Sequence, residues 1–189
     1  MKHLGTWRLE TDRLILRPFV MKDVGAMFEN WASDEQVTRY LMWPTHTDAT
    51  VTEAVLRDWT SRYGEADFYQ WAIVPKDGAD RPVGSISVVR QDDRVGKGTV
   101  GYCIGRPWWH QGITTEALGA VIDFLLHQVG LQRVDAYHDP RNPHSGRVMQ
   151  NCGMTCEGTL RRSDWNNQGI CDACWYAILR EEAGTEPQR

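Results

Sequence analysis

The chain has 189 residues, of which 41% are hydrophobic, and a formal net charge of −4. This length suits one well-buried domain and is short for two, and the charge does not favour a nucleic-acid or membrane-surface partner. No stretch of apolar residues is long enough to predict a spanning helix, and the first ten residues lack the apolar core of a signal peptide. We therefore expect a cytoplasmic protein without nucleic-acid or membrane partners.

The first part of the chain predicts strands and helices in turn. Residues 13–19 predict a strand, and residues 23–33 carry apolar side chains at helical spacing. Thr50 and Glu53 form a capping-box pattern, which predicts the start of a second helix that ends near Gly64. Three further strands, separated by polar turns, are predicted over residues 68–74, 82–90 and 99–105.

The second part predicts a helix that ends near Gly130, a strand over 132–138 and a short helix over 144–152. Two strands, about 154–161 and 170–179, follow, with a polar turn over 163–169 between them. The order β-α-α-β-β-β-α-β-α-β-β predicts an α/β fold with a mixed sheet of about seven strands and flanking helices. We expect a single domain over 1–182 and a flexible tail over 183–189.

The most informative segment is Gly101–Leu118, where an apolar strand leads into a short loop with Gly112, and a helix begins at once. Such a loop directs unpaired backbone N–H groups and the positive end of the helix dipole at one point. This arrangement predicts a phosphate or pyrophosphate site at the carboxyl end of the strand. A second polar segment, Asp139–Ser145, precedes the short helix. Together the two segments indicate an enzyme that uses a nucleotide-bearing cofactor.

The cysteines offer an alternative that needs weighing. Cys152, Cys156, Cys171 and Cys174 superficially follow the spacing of a four-thiolate zinc site. Residues 169–179 read as a strand, however, in which Cys171 and Cys174 point to opposite faces and cannot share a metal ion. We therefore expect thiols that are not joined in disulfides and no metal.

The chain contains four motifs in this order: Thr11–Arg17, Trp109–Ala117, Asn142–Met149 and Gly153–Arg161. Together they resemble the GNAT superfamily of acetyl-CoA-dependent N-acetyltransferases, in particular its RimJ/RimL-like branch. The likeness covers nearly the whole chain, from Thr11 to Leu179. One glycine loop alone would be weak evidence, whereas four ordered motifs are specific.

The chain departs from the family pattern at three positions. His110 and Gln111 replace the usual Gly-Lys, which removes a flexible residue and a cation near the phosphates. Thr114 stands where the superfamily prefers Gly or Ala, so that a hydroxyl approaches the pyrophosphate. We expect these changes to alter or weaken cofactor binding rather than abolish it.

The resemblance implies a cofactor site in which Gly112 approaches the phosphate, strand backbone pairs with the pantetheine arm, and Asn142 bonds a pantetheine amide. An Asx turn at Asn142 is the alternative. The implied cofactor-binding residues are Tyr102, Cys103, Ile104, Trp109, His110, Gln111, Gly112, Ile113, Thr114, Asn142 and Ser145.

For catalysis, the resemblance implies that Ser145 protonates the departing CoA thiolate, with a helix N-cap as the alternative role for this residue. Glu116 is the first candidate for the general base, although the helix dipole alone favours a carboxylate there. Glu157 and His138 are further candidates, each more easily explained by a structural role.

The resemblance implies direct transfer of acetyl from acetyl-CoA to a primary amine, without a metal. A protein N-terminal α-amine, for example of a ribosomal protein, is the first expectation for the acceptor, and a small amine such as a polyamine, amino sugar or drug is the second. A non-catalytic acyl-CoA-binding module is the alternative from another class. We expect a monomer or a homodimer.

Overall fold

The structure, a computed structural model, describes residues 1–184, so that most of the predicted tail over 183–189 lies outside the described residues. Its centre is a sheet built from strands of two to twelve residues. The strands are β1 (Leu9–Glu10), β2 (Leu14–Arg17), β3 (Gln70–Pro75), β4 (Gly84–Asp92), β5 (Lys97–Ile104), β6 (Arg133–His138), β7 (Thr155–Asn166) and β8 (Gly169–Leu179).

The strand order across the sheet is β1-β2-β3-β4-β5-β6-β8-β7. Among the described strands, β5 and β6 form the parallel pair and the other neighbours run antiparallel. The predicted mixed α/β fold is therefore confirmed. The predicted number of about seven strands is one too low, because β1 has only two residues, too few for an alternating pattern.

The four predicted helices are present in the predicted order, and a further short helix over Glu35–Thr38 was not predicted. Residues 21–32 form the first predicted helix as three short pieces, namely a 3-10 turn, α1 and a π-helical turn. The helix after the Gly112 loop continues as a π-helical turn to Gly130, whose φ of +86° ends it. The α-helices are α1 (Val24–Met27), α2 (Glu35–Thr38), α3 (Ala49–Arg62), α4 (Ile113–Asp123) and α5 (Pro143–Asn151). None of the helices within residues 1–184 has both the length and the apolar character needed to cross a membrane.

The start of α3 corrects the predicted capping box. Asp48 is the N-cap, and its carboxylate accepts a hydrogen bond from the Thr50 N–H at 2.8 Å. Thr50 is therefore already inside the helix. Asp and Thr are both good N-cap residues, and the Thr50–Glu53 spacing concealed the better-placed Asp48.

The C-terminal hairpin is longer than predicted. Asp164, Trp165 and Asn166 pair with β8, so that the turn comprises only residues 167–168. The polar composition of residues 163–169 predicted a loop, but the strand pairs with β8 again from Asp164 onward, after an irregularity between Leu160 and Asp164. Turn-forming residues thus lie inside a long strand here.

The sheet has an apolar core on each face, which follows from alternation along the strands. On β3, Trp71 and Ile73 belong to the core beneath α4 and α5, whereas Ala72 and Val74 belong to the core beneath α1 and α3. We call these the α4/α5 face and the α1/α3 face.

The parallel pair opens into a slot. Pairing between β5 and β6 covers only the first three residues of each, ending at Thr99 opposite Asp135. Beyond that point, residues 100–104 and 136–138 share no register partners, and their facing backbone groups are not used by the sheet. This slot points toward the loop that precedes α4.

Candidate active site

At the open end of the slot, Gly112 is the N-cap of α4 with a left-handed φ of +75°. Its carbonyl accepts from the Glu116 N–H at 3.0 Å, and no side chain caps the helix. The N–H groups of Ile113, Thr114 and Thr115, in the first turn, therefore remain for a ligand. Helix N-termini of this kind bind phosphate groups.

The two residues before Gly112 depart from the family pattern in a way that has structural consequences. His110 has a φ of +60°, a conformation that costs a non-glycine residue energy. Gln111 is occupied within the loop, because its side chain donates to the Pro107 carbonyl at 2.7 Å. Gln111 therefore does not take the place of the family's lysine.

Arg13 brings a cation to the loop from β2, and the sequence analysis did not assign it a role. Its guanidinium donates to the Gln111 carbonyl at 3.0 Å and lies 3.5 Å from where a Cβ on Gly112 would be. The only signal in the sequence was its place in the Thr11–Arg17 motif. Arg13 thus brings a guanidinium beside Gly112, where Gln111 offers no cation, and the same guanidinium pairs with Glu116 at 2.6 Å.

The backbone of β5 lines one side of the slot in alternation. The Gly105 N–H donates to the Val83 carbonyl, so the backbone groups of Gly105 point toward β4. Because these groups alternate along a strand, the backbone N–H and C=O of Cys103 also face β4, whereas those of Tyr102 and Ile104 face the slot. The implied role of Cys103 in pairing with a pantetheine arm therefore does not fit this register. Its thiol lies 3.4 Å from Ser85 Oγ, and burial raises the pKa of that thiol to about 11.

Trp109 lies beside the slot, at the carboxyl end of β5. Its indole N–H donates to the Ile104 carbonyl at 2.9 Å, and the side chain is partly exposed. The Ile104 carbonyl is thus already bound, which leaves its N–H and the backbone groups of Tyr102 as the strand's contribution to the slot.

Tyr102 and Ser145 meet across the slot. The Tyr102 hydroxyl donates to the Ser145 carbonyl at 2.9 Å and lies 3.1 Å from Ser145 Oγ. Burial raises the pKa of Tyr102 far above its ordinary value, so the phenol stays protonated. The two hydroxyls form a short chain of groups that can pass a proton.

The start of α5 excludes the alternative structural roles of Asn142 and Ser145. Asn142, not Ser145, is the N-cap, followed by Pro143, and Ser145 is the third residue of the helix. The alternative of Ser145 as the cap is therefore wrong. The Asn142 side chain makes no capping bond and, within residues 1–184, no other hydrogen bond that would form an Asx turn. Its amide is free to bind a ligand.

Asp139 fixes the loop that carries Asn142. The buried carboxylate accepts from Arg141, including a 2.6 Å bond, and from Asn166 at 2.9 Å, while the Asp139 carbonyl accepts from the Asn142 N–H at 2.7 Å. The hydrogen bonds from Arg141 lower the pKa of Asp139 to about 2, against the effect of burial. The loop is thus anchored to the C-terminal hairpin.

The carboxylate of Glu116 is bound on the far side of α4 from the slot. It accepts from Thr11 Oγ at 2.5 Å, the Arg13 N–H at 2.9 Å and Arg13 Nε at 2.6 Å. Burial would raise the pKa of Glu116, but these donors lower it below its ordinary value. A carboxylate with three donors and a lowered pKa is poorly suited to accept a substrate proton, which favours a structural role.

Of the other two candidate bases, one is paired with an arginine and the other is enclosed. Glu157 forms a bidentate pair with Arg133 at 2.7 and 2.5 Å, and that pair lowers the pKa of Glu157. His138 donates from Nδ1 to the Asp139 carbonyl at 2.9 Å, which leaves Nε2 as an acceptor. Nε2 is buried without a partner among residues 1–184, against Gly146, where a Cβ would lie 2.5 Å away.

The cysteines carry free thiols. Cys156 and Cys174 have sulfurs 3.8 Å apart, Cys152 donates to the Thr115 carbonyl, and Cys171 accepts from Asn166. In the part of the chain that the structure describes, no three His, Cys, Asp or Glu side chains lie close enough together to hold a metal ion.

Comparison with known proteins bears on this site. Residues 13–155 match the family model described as an acetyltransferase (GNAT) domain. The chain is 26% identical to the uncharacterized N-acetyltransferase p20 of Bacillus licheniformis over 174 residues, 92% of this chain and 97% of that one. It is also 26% identical to the ribosomal protein uS5-alanine N-acetyltransferase of Escherichia coli, covering 80% of this chain and 79% of the relative.

A solved structure supports the fold. A RimL ribosomal-protein α-N-acetyltransferase in complex with coenzyme A superposes with a TM-score of 0.81 at 18% identity, over 92% of this chain and 98% of that one. The match to the family model spans both the Gly112 loop and the Asn142–Ser145 segment. The chain therefore belongs to the GNAT acetyltransferase family and is an acetyl-CoA-dependent N-acetyltransferase.

Proposed function

We propose that the chain transfers the acetyl group of acetyl-CoA directly to the α-amine of a protein N-terminus. The observation that carries the proposal is the slot between β5 and β6, with a phosphate-binding helix start at its open end and the Tyr102–Ser145 pair beside it. The relative named as a ribosomal-protein alanine N-acetyltransferase supports this class of acceptor.

In this proposal, the cofactor's pyrophosphate binds the N–H groups of the first turn of α4, with Arg13 adding positive charge. The pantetheine arm runs back along the slot, against the backbone of Tyr102 and the side-chain amide of Asn142. The left-handed Gly112 and the uncapped helix start fit a phosphate closely. Neither the pyrophosphate contact nor the pantetheine contact requires Cys103.

The chemistry that follows needs no covalent enzyme intermediate. The neutral amine attacks the thioester carbonyl, the carbon–sulfur bond breaks, and Ser145 donates a proton to the departing thiolate. Tyr102, whose oxygen lies 3.1 Å from Ser145 Oγ, passes a proton on to Ser145 and takes one up from solvent, so that both hydroxyls end the reaction protonated. A thiol pKa near 8.5 makes the thiolate a tolerable leaving group, so this proton transfer assists rather than enables the reaction.

We propose that solvent water, rather than a side chain, first accepts the amine proton. Glu116 and Glu157 are bound to arginines, and His138 Nε2 is enclosed by α5. An α-amine with a pKa near 8 costs about 1.4 kcal/mol to deprotonate at pH 7, whereas a lysine amine costs about 4.6 kcal/mol. An enzyme without a dedicated base therefore favours α-amines.

The RimJ/RimL-like branch, the single domain over 1–182 and the cytoplasmic location stay predictions alongside this proposal. A peptide panel with Ala, Ser or Met at the N-terminus, compared with polyamines and amino sugars, tests the acceptor class. Release of CoA thiol that depends on a peptide amine supports the proposal. Acetyl-CoA binding without turnover on any amine would instead support a non-catalytic binding module.

A further inference from the structure

Arg90 owes its position to a bulge in β4. Val88 lies opposite Val100, but Arg90 lies opposite Thr99, so Val89 is an extra residue between them. Val88 and Val100 pack into the core of the α4/α5 face. The extra residue therefore turns Arg90 to the opposite face, as bulges next to active sites commonly do.

The Arg90 side chain crosses the sheet at the closed end of the slot. Its guanidinium carbon lies 5.7 Å from the ring centre of Tyr137, which is on β6, two strands away. Thr99, its partner on β5, is the last residue paired with β6 before the slot opens. The neighbouring Gly101 has no side chain, and the extra residue Val89 packs there, with a methyl group 3.1 Å from where a Cβ on Gly101 would be.

Two acidic groups near this position are paired with other cations. Asp135 is buried between Arg133 at 3.1 Å and Lys97 at 3.2 Å, and Glu157 pairs with Arg133. A further carboxylate, that of Asp164, forms no ion pair with Arg90. Burial, together with a smaller effect of this carboxylate, raises the pKa of Tyr137 to about 12.

Arg90 is thus an exposed cation that makes no ion pair within residues 1–184. It lies on an aromatic platform, because the rings of Tyr137 and Trp175 are 4.6 Å apart between centres. The chain as a whole carries a net charge of −4, so this local positive charge is not a general property of the surface. A guanidinium held in this way is well suited to bind a carboxylate.

We propose that Arg90 selects acceptors by binding a carboxylate close to the reacting amine, so that preferred N-termini carry an acidic side chain in their first residues. This inference rests on the proposed function and places the amine on the face of the sheet to which the bulge turns Arg90. The same charge disfavours polyamines, which are polycations. A charge-assisted hydrogen bond of this kind corresponds to a preference of about tenfold or more.

The test compares three peptides that begin with Ala and differ only at the second residue, which is Glu, Gln or Lys. The ratio of kcat/KM values is measured for the wild type, Arg90→Gln and Arg90→Lys. Arg94→Gln is the matched control, because Arg94 lies on the same hairpin but pairs with Asp92 at 2.7 Å. Melting temperatures verify that each variant is folded.

We expect the wild type and Arg94→Gln to prefer the Glu peptide over the Gln peptide by about tenfold. Arg90→Gln should reduce this preference to less than about threefold, and Arg90→Lys should keep part of it. If Arg90→Gln prefers the Glu peptide as strongly as the wild type does, or if the wild type shows no preference, the inference is overturned. Either result leaves the proposed function intact. Failure to acetylate any peptide overturns both.

Discussion

The hydroxyl of Tyr102, on β5, lies 3.1 Å from the hydroxyl of Ser145, on α5, and joins the two sides of the slot. The sequence assigned only the backbone of Tyr102 to the cofactor. The Tyr102 side chain gives Ser145 a protonated neighbour, from which Ser145 can regain the proton that it donates.

Replacing either hydroxyl should therefore slow the chemical step. We expect Ser145→Ala to lower kcat by up to about 100-fold. Tyr102→Phe should lower kcat less, because Ser145 can still protonate the thiolate and then regain its proton from solvent. Since Ser145 is not the helix cap, its loss should leave the melting temperature nearly unchanged. Binding of CoA, measured by calorimetry, should change little in both variants. An unstable Ser145→Ala protein with full kcat would contradict the assignment.

Gly112 should not tolerate a branched side chain. Its φ of +75° disfavours Val, and the side chain would stand among the N–H groups that await a phosphate. We expect Gly112→Val to weaken CoA binding at least about tenfold. The matched control is Gly119→Ala, in the middle of α4 with nothing within 4 Å of the new methyl group, which should stabilise the fold without changing CoA affinity. Unchanged CoA affinity in a folded Gly112→Val protein would refute the loop assignment.

His110 should respond to substitution according to backbone strain. Its φ of +60° costs roughly 1 kcal/mol for a non-glycine residue and more for a β-branched one. In denaturant unfolding, His110→Gly should be at least as stable as the wild type, and His110→Val should lose about 1 kcal/mol or more. If both variants have the same free energy of unfolding, residue 110 does not need the left-handed conformation.

Asp139 should make stability depend on pH at the acidic end. Hydrogen bonds from Arg141 lower the folded-state pKa from 3.8 to about 2. A lowered pKa stabilises the folded state fully above pH 4 and loses this contribution as the pH falls through 2, a difference of roughly 2 kcal/mol. Asp139→Asn should thus be less stable than the wild type at pH 7, with the gap narrowing between pH 4 and 2. A gap that stays constant over this range would contradict the role of the ionised carboxylate.

The local features of the site could be predicted from the sequence because they depend on short-range chemistry. Gly112 was predicted at the turn between strand and helix, and it is the N-cap of α4. The mixed sheet and the parallel unit around the loop also followed from hydrophobic patterns.

Features that depend on distant pairing could not be predicted in this way. Glu116 meets Thr11 and Arg13 across more than one hundred residues, so its helical position alone suggested a base. The outward turn of Arg90 depends on one extra residue in β4, which changes the face of every later side chain. For the same reason, strand register rather than composition decides that Cys103 faces away from the slot.

The most direct test of the account is mass analysis of a peptide with a free N-terminal amine after incubation with the enzyme and acetyl-CoA. A peptide that also contains an internal lysine reports both kinds of amine at once. The account predicts one acetyl group on the α-amine and one CoA thiol released for each peptide modified. Acetylation of the lysine in preference to the α-amine, or thiol release without a modified peptide, would contradict it.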